Sequence, residues 1–240
     1  MIDIHSHILF GMDDGAQTPE ESLELCRKAR EGGVRMVVCT PHFTDYSLIP
    51  DFARTRDERL GELSEILDKN GVKTALAAGA ELFLSDDIFS CGDLDALTLN
   101  GSSYMLCEFP LGPFNIRRAP LWIEELTEHG YIPVVAHPER YYEFYSHPTI
   151  IDELLDFGVI FQVNFDSLLG ANGDAAKAAA TRLVVSGKAQ LIAGDSHDSL
   201  YRPPVNKALF AELDAEITDA ILKRCLISNP KAVLSDKKIF

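Results

Sequence analysis

The sequence predicts an α/β protein built on a parallel sheet. Three observations carry that reading. Seven short apolar runs alternate with helix-like segments along the 240 residues. The runs are continuously apolar, as in strands covered on both faces. Almost every run ends in a residue able to bind a metal ion. A closed barrel and an open doubly wound sheet both accommodate the alternation. The strand-end residues favour the barrel, whose functional groups come from the C-terminal ends of many strands. In an open sheet they gather near one switch point.

The chain opens on Met1-Ile2 and then Asp3-Ile4-His5-Ser6-His7. In an extended strand His5 and His7 lie on the same side. Thr18-Pro19-Glu20-Glu21 is a helix start, with Thr18 as N-cap, Pro19 at the first position and Glu21 closing a capping box. That helix runs to Gly32-Gly33, a glycine stop. Val34 to Thr40 is a buried strand reaching Pro41-His42. An amphipathic helix over residues 51–69 closes at Asn70-Gly71, and the strand from Val72 to Ala80 ends at Glu81. After an irregular, Asp-rich stretch, Tyr104 to Cys107 is a strand ending at Glu108. A helix from Ala119 to His129 leads to the strand Tyr131 to Ala136 and to His137. A helix from Pro148 to Phe157 leads to the strand Val159 to Val163 and to Asn164. An Ala-rich helix over 173–187 leads to the strand Ala189 to Ala193, then Gly194-Asp195-Ser196-His197. Two helices, over 204–213 and 215–224, complete the pattern. No repeat, low-complexity tract or linker interrupts it, so residues 1–240 read as one domain.

Composition narrows the function. The net charge of −15 argues against nucleic acid as a partner, because backbone binding needs a basic footprint. No apolar run approaches the roughly 20 residues of a membrane span, so the protein is not expected to insert in a membrane. There is no signal-peptide pattern, and a cytoplasmic location is expected. The five cysteines, 26, 39, 91, 107 and 225, lack a CxxC spacing and read as reduced thiols. Self-association into a homo-oligomer stays open.

The chemistry lies in the strand-end residues: His5 and His7, His42, Glu81, Glu108, His137, Asn164, Asp195 and His197. All but Asn164 are metal-ligating types. Each alone has an ordinary explanation, a surface acid or a satisfied core histidine. Their recurrence after strand upon strand points to a metal centre. Imidazole and carboxylate without thiolate suit Mn, Fe or Zn better than Ca or a structural cysteine-zinc site. The ligands are too many for one ion and suggest two or three divalent ions, whose clustering suits phosphoryl displacement. Asp13-Asp14-Gly15 reads either as a turn before the Thr18 cap or as the source of a further ligand.

The stretch IDIHSHILFGMDDGAQTPEESLELCRKAREGGVRMVVCTPHF resembles the start of the PHP (polymerase and histidinol phosphatase) superfamily. More narrowly, it resembles the bacterial PHP-type protein tyrosine phosphatases of capsule and exopolysaccharide operons. GAELFL, CEFP, PVVAHPERY, FQVN, GDSH and RPP extend the likeness over nearly the whole chain. The resemblance implies a distorted (β/α)7 TIM-like barrel with a trinuclear metal cluster, best activated by manganese. It places His5, His7 and Asp195 at a first ion, Glu81 as a bridge, Glu108 and His137 at a second ion, and Asp14, His42 and His197 at a third. Arg140, three residues after His137, and Arg202, five after His197, fall in loops beyond ligand-bearing strand ends. Arginine forks suit phosphate oxygens, and the resemblance gives both that role. Asp198-Ser199-Leu200-Tyr201 intervenes before Arg202, a spacing unlike the family's usual one.

The reaction implied is phosphomonoester hydrolysis by a metal-bridged hydroxide, with Arg140 and Arg202 on the phosphate. His42 and Asp195 are the candidates to protonate the leaving group. A phosphotyrosine protein is the expected substrate, specifically an autophosphorylated bacterial tyrosine kinase. No cysteine has an arginine six positions on, so the thiol phosphatase loop is absent. The alternatives are a small-molecule phosphatase of the histidinol phosphatase type, a metal-dependent amidohydrolase, and a non-enzymatic metal-binding scaffold. Of the remaining residues, Tyr141, Tyr142 and Tyr145 are expected to pack rather than line a rim. Leu9, Phe10, Tyr46 and Leu48 lie where a lid would form.

Overall fold

The computed structural model describes residues 1–90, 92–147 and 149–239. Cys91, read as a reduced thiol, and Pro148, read as a helix start, lie outside the described residues. In chain order the strands are β1 Ile2–Asp3, β2 Met36–Cys39, β3 His42–Phe43, β4 Ala75–Ala78, β5 Glu81–Phe83, β6 Tyr104–Glu108, β7 Ile132–Ala136, β8 Ile160–Asn164 and β9 Leu191–Ala193. The helices are α1 Pro19–Glu31, α2 Ile49–Lys69, α3 Arg118–Glu128, α4 Tyr142–Ser146, α5 Ile150–Asp156, α6 Phe165–Leu169, α7 Asp174–Val185, α8 Asp219–Lys223 and α9 Asn229–Val233. The capping box forms as expected, with Thr18 Oγ1 accepting from Glu21 N and Glu21 Oε2 from Thr18 N, each at 3.3 Å.

Every strand pair is parallel. One sheet has the order β1-β2-β4 and the other β3-β5-β6-β7-β8-β9. The expected strand 34–40 is realised as β2, and a further short strand, β3, follows Pro41, which has no N–H to give. The expected strand 72–80 is realised as β4, and Glu81 opens a further strand, β5, instead of following one. The seven expected runs correspond to seven of the nine strands found among the described residues; β3 and β5 lie beyond them. Hydrogen bonds bridge the breaks: Thr40 N donates to Ser6 O at 2.8 Å, and Glu81 N to Pro41 O at 3.1 Å. The two ends of the order also meet. Ser6 and Ser196 form a parallel bridge, and Asp195 N donates to His5 O at 2.8 Å.

Strand alternation separates two cores. Val37, Met105, Cys107, Val135, Phe161, Val163 and Ile192 pack against the helices, with Leu25, Leu63, Ile123, Leu154 and Val184. Their neighbours Val38, Tyr104, Leu106, Val134, Ala136, Leu191 and Ala193 form a second cluster with Ile4, Ala77 and Val233. Following this second series along the strands leads to polar residues: Tyr104 and Leu106 to Glu108, and Ile160 to Gln162 and Asn164. An apolar interior therefore becomes a polar one at the C-terminal strand ends.

The end of the chain departs from expectation. Residues 204–213 are not an α-helix but begin irregularly and form a 3₁₀ helix, Lys207–Glu212, as suits a segment entered through Pro203-Pro204. The helix expected over 215–224 starts later, at α8, and continues through a π turn, Arg224–Ser228, into α9. Pro230 stands near the start of α9, where its missing N–H costs little. Among the described residues, no helix is long and apolar enough to cross a membrane.

Candidate metal centre

The five strand-end histidines converge. His5 Nε2 lies 3.1 Å from His7 Nε2, 3.2 Å from Glu81 Oε2 and 3.3 Å from Asp195 Oδ1. His7 Nε2 is also 3.3 Å from each of those two oxygens. The other ring nitrogens are engaged: His5 Nδ1 with Gln162 Oε1 at 2.7 Å and His7 Nδ1 with Asp13 Oδ2 at 2.6 Å. With Nδ1–H donating to those acceptors, each Nε2 turns a lone pair toward the other and toward two carboxylate oxygens. Four acceptors facing one point repel unless a cation lies between them. Their mutual spacing is close to the edge of a tetrahedron with bonds of about 2.1 Å, roughly 3.4 Å.

Two further groups adjoin the first. His42 Nδ1 lies 3.0 Å from Glu81 Oε2 and 3.2 Å from Glu108 Oε1. His137 Nε2 lies 3.1 Å from Glu81 Oε1 and 3.8 Å from Glu108 Oε2. On the outer side, Asp14 Oδ1 lies 3.3 Å from His197 Nε2 and 3.5 Å from His42 Nε2. His5, His7 and Glu81, then His42, Glu81 and Glu108, then His7, Asp14, His42 and His197 each bring ligand atoms within 4.8 Å of one another. Glu81 is common to two groups, and His7 and His42 also belong to two each. Asp195, expected at the first group, lies 3.3 Å from both His5 and His7 Nε2, and His137, expected at the second, lies beside Glu81 and Glu108. Buried Glu81 Oε2, His42 Nδ1, His137 Nδ1 and His197 Nε2 have no hydrogen-bond partner. The residues present therefore fit divalent cations.

Electrostatics agree. Burial works against charge on His5 and His7, yet Glu81 and Asp195, with Asp13 at His7, lift both pKa values above the usual imidazole range. Burial is likewise outweighed at His42, where Glu108 and Glu81 raise the pKa to about 10. Glu81 and Asp195 are held well below the carboxylate range, burial being overcome by the histidines around them. His197 goes the other way, to about 4, through burial and the nearby His7. A site whose carboxylates stay ionised in a buried setting demands compensating positive charge.

Backbone geometry aims two of these side chains. His137 has φ 36° and Asp195 φ 49°, both in the left-handed region. His137 follows Ala136 of the inward series, so regular alternation would turn it toward the helices; the left-handed turn redirects it. Asp195 also divides its two oxygens. Oδ1 faces the histidines, while Oδ2 accepts from Arg202 Nη2 at 2.6 Å, Arg140 Nη1 at 3.3 Å and Asn164 Nδ2 at 2.7 Å. The carboxylate thus links the cation-binding cluster to the arginine pair.

The CpsB/CapC family of capsular polysaccharide synthesis proteins matches residues 1–235. The chain belongs to the CpsB/CapC family. It is 32% identical to the tyrosine-protein phosphatase YwqE of Bacillus subtilis (strain 168), covering 100% of this chain and 94% of that protein. It is 31% identical to the putative tyrosine-protein phosphatase CapC of Staphylococcus aureus, over 100% and 93%. A crystal structure from work on YwqE and on CpsB of Streptococcus pneumoniae, described as unique metal-dependent tyrosine phosphatases, superposes with a TM-score of 0.87. It shares 32% identity and the match covers 100% of this chain and 96% of that one. A lactonase of Listeria monocytogenes and a Bacillus D-hydantoinase share the fold at TM-scores of 0.59 and 0.55, with 12% and 13% identity.

In this CpsB/CapC chain every ligand-type residue singled out in the sequence reaches one place, as do Arg140 and Arg202. The supporting residues were harder to see. Asp13, in the Asp13-Asp14-Gly15 turn, orients His7 and accepts from His42 N at 2.9 Å. Gln162 holds His5, and its Nε2 donates to Asn164 Oδ1 at 2.9 Å. The signal for Gln162 was its alternation with Asn164 in an otherwise apolar strand. Other expectations are corrected. Leu9 and Phe10 are buried in the core and form no lid. Tyr141 packs as expected, its ring centroid 5.5 Å from that of His137, but Tyr142 is 74% exposed.

Proposed function

We propose that this protein is a metal-dependent phosphomonoester hydrolase acting on phosphotyrosine in proteins. The observation that carries this is Asp195, with one oxygen on a cation-type cluster and the other on two arginines. The names of the CpsB/CapC relatives support the same reaction. His5, His7, Asp14, His42, Glu81, Glu108, His137, Asp195 and His197 would hold two or three divalent ions, manganese being favoured over iron or zinc. When bound, such ions lower the pKa of water toward neutrality and offset charge on phosphoryl oxygens.

The chain's own groups do the rest. Arg140 and Arg202 are partly exposed and anchored on Asp195 Oδ2, so an entering phosphate meets preorganised N–H donors. A phenolate leaving group, with a pKa of about 10, needs less protonation than an alkoxide. His42, partly exposed at the mouth, is placed to supply a proton from a ring nitrogen that holds no cation. Cys26, Cys39, Cys107 and Cys225 are buried, which disfavours a thiolate nucleophile.

The single-domain reading fits the two sheets' shared interior. The links from Ser6 to Thr40 and to Ser196 support closure into a distorted (β/α)7 barrel. An autophosphorylated tyrosine kinase of capsule synthesis is the substrate we favour, met in the cytoplasm. The test is turnover of a phosphotyrosine peptide, histidinol phosphate and an amide by chelated protein resupplied with Mn, Fe or Zn. Manganese-stimulated release of phosphate from the peptide above all others is expected. Full activity without metal, or preference for histidinol phosphate, would sink the reading.

A further inference from the structure

The turn after His197 has a feature that phosphate chemistry does not use. Leu200 and Tyr201 are 77% and 84% exposed, the most exposed large hydrophobic side chains among the described residues. The turn carrying them is braced. Asp198 Oδ1 accepts from Leu200 N and Tyr201 N, both at 2.6 Å. His197 N and Asp198 N both donate to Arg202 O, at 3.0 and 3.3 Å. Lys28 Nζ, from α1, reaches Ser199 O at 2.7 Å. The chain thus holds two large apolar side chains in water while the next residue, Arg202, reaches back to Asp195. Such exposure contributes nothing to folding, and beside a candidate active site it marks a contact surface.

The turn also borders a cleft of about 480 Å³ that starts at Asp14 and His197 and follows the first turns of α1. Asp14, Glu20, Glu21, Glu24 and Asp198 line it, and no lysine or arginine does. This cleft adjoins the arginine-bearing site but has the opposite charge. It repels a free anion and attracts a cation tethered to one.

We propose that the Leu200-Tyr201 turn and its acidic cleft receive the polypeptide that flanks the phosphotyrosine, and that this flank is basic. Leu200 and Tyr201 take apolar contact from the flank, and the carboxylates take its Lys or Arg. The inference rests on the phosphatase reading and deepens it by naming the substrate class.

The test compares kcat/KM on Lys-flanked and Glu-flanked versions of one phosphotyrosine peptide with kcat/KM on para-nitrophenyl phosphate, using metal-loaded protein. The variants are L200A/Y201A and, separately, E20Q/E24Q, all four residues being exposed and therefore dispensable for folding. L200A/Y201A is expected to lower the ratio of Lys-peptide to para-nitrophenyl phosphate turnover about tenfold, the effect of losing a packed contact. The loss should lie in KM. E20Q/E24Q should erase the wild-type preference for the Lys-flanked peptide. A ratio unchanged in L200A/Y201A, or equal use of both peptides by wild type, overturns the proposal while leaving the phosphatase reading intact. No turnover of any of the three substrates overturns both.

Discussion

The Nε2 atoms of His5 and His7 lie 3.1 Å apart, with each Nδ1 fixed by a separate acceptor. Two imidazoles in that relation form a cation site, and the acceptors hold them in register for it. His5→Ala is therefore expected to remove bound metal and phosphatase activity together. Gln162→Ala and Asp13→Ala should keep the ligands but weaken metal binding by about 10- to 100-fold, as loss of an orienting partner does. Metal titration followed by mass spectrometry distinguishes these outcomes. Unchanged metal content in His5→Ala would contradict the site.

Arg202 and Arg140 share Asp195 Oδ2, with Arg202 closer at 2.6 Å against 3.3 Å. Removing either leaves a phosphate without one forked donor. Arg202→Ala and Arg140→Ala should each lower kcat/KM on an aryl phosphate by about 10²-fold, or roughly 3 kcal/mol. Metal content should be retained. Lysine restores charge but not the fork, so Arg202→Lys should recover only part of the loss. Steady-state kinetics with metal analysis on the same samples checks this.

Cys26 lies on the buried face of α1, and burial pushes its thiol up to about 12. Iodoacetamide at pH 8 should leave native activity intact and label the thiol only after unfolding. The raised folded pKa also gives a direction with pH. Stability from the protonated thiol is complete below its unfolded pKa near 9 and is lost as pH rises through the folded value. Melting temperature should fall more steeply between about pH 9 and 11 in wild type than in Cys26→Ala.

Gly194 precedes Asp195 where a side chain has no room. A Cβ there would stand 2.5 Å from Ser196 Oγ and 2.6 Å from Asp3 Oδ2. Asp3 Oδ1 meanwhile accepts from Gly194 N at 2.9 Å. Gly194→Ala must displace one of these groups, and with it the backbone that sets Asp195. A stability loss of about 2 kcal/mol is expected, accompanied by weaker metal binding. Denaturant unfolding measures the first and metal titration the second.

The sequence by itself determined which residues could do chemistry and which segments would be strands. Ligand-type side chains at successive strand ends are legible because a parallel α/β architecture presents all those ends on one face. The capping box at Thr18 and the glycine stops were legible because they are local. Tertiary structure decided what spacing does not encode. It added two short strands, β3 after Pro41 and β5 after Ala80, and it extended the last helix to Val233. It turned His137 inward through a left-handed backbone, against strand alternation. It made Asp13 and Gln162, ordinary turn and strand residues in the sequence, the acceptors that fix two imidazoles. Gln162 and His5 are 157 positions apart, and only packing of the whole sheet brings them together. Short-range patterns report the intrinsic geometry of the backbone. The orientation of a buried polar side chain depends on which distant partner can satisfy it.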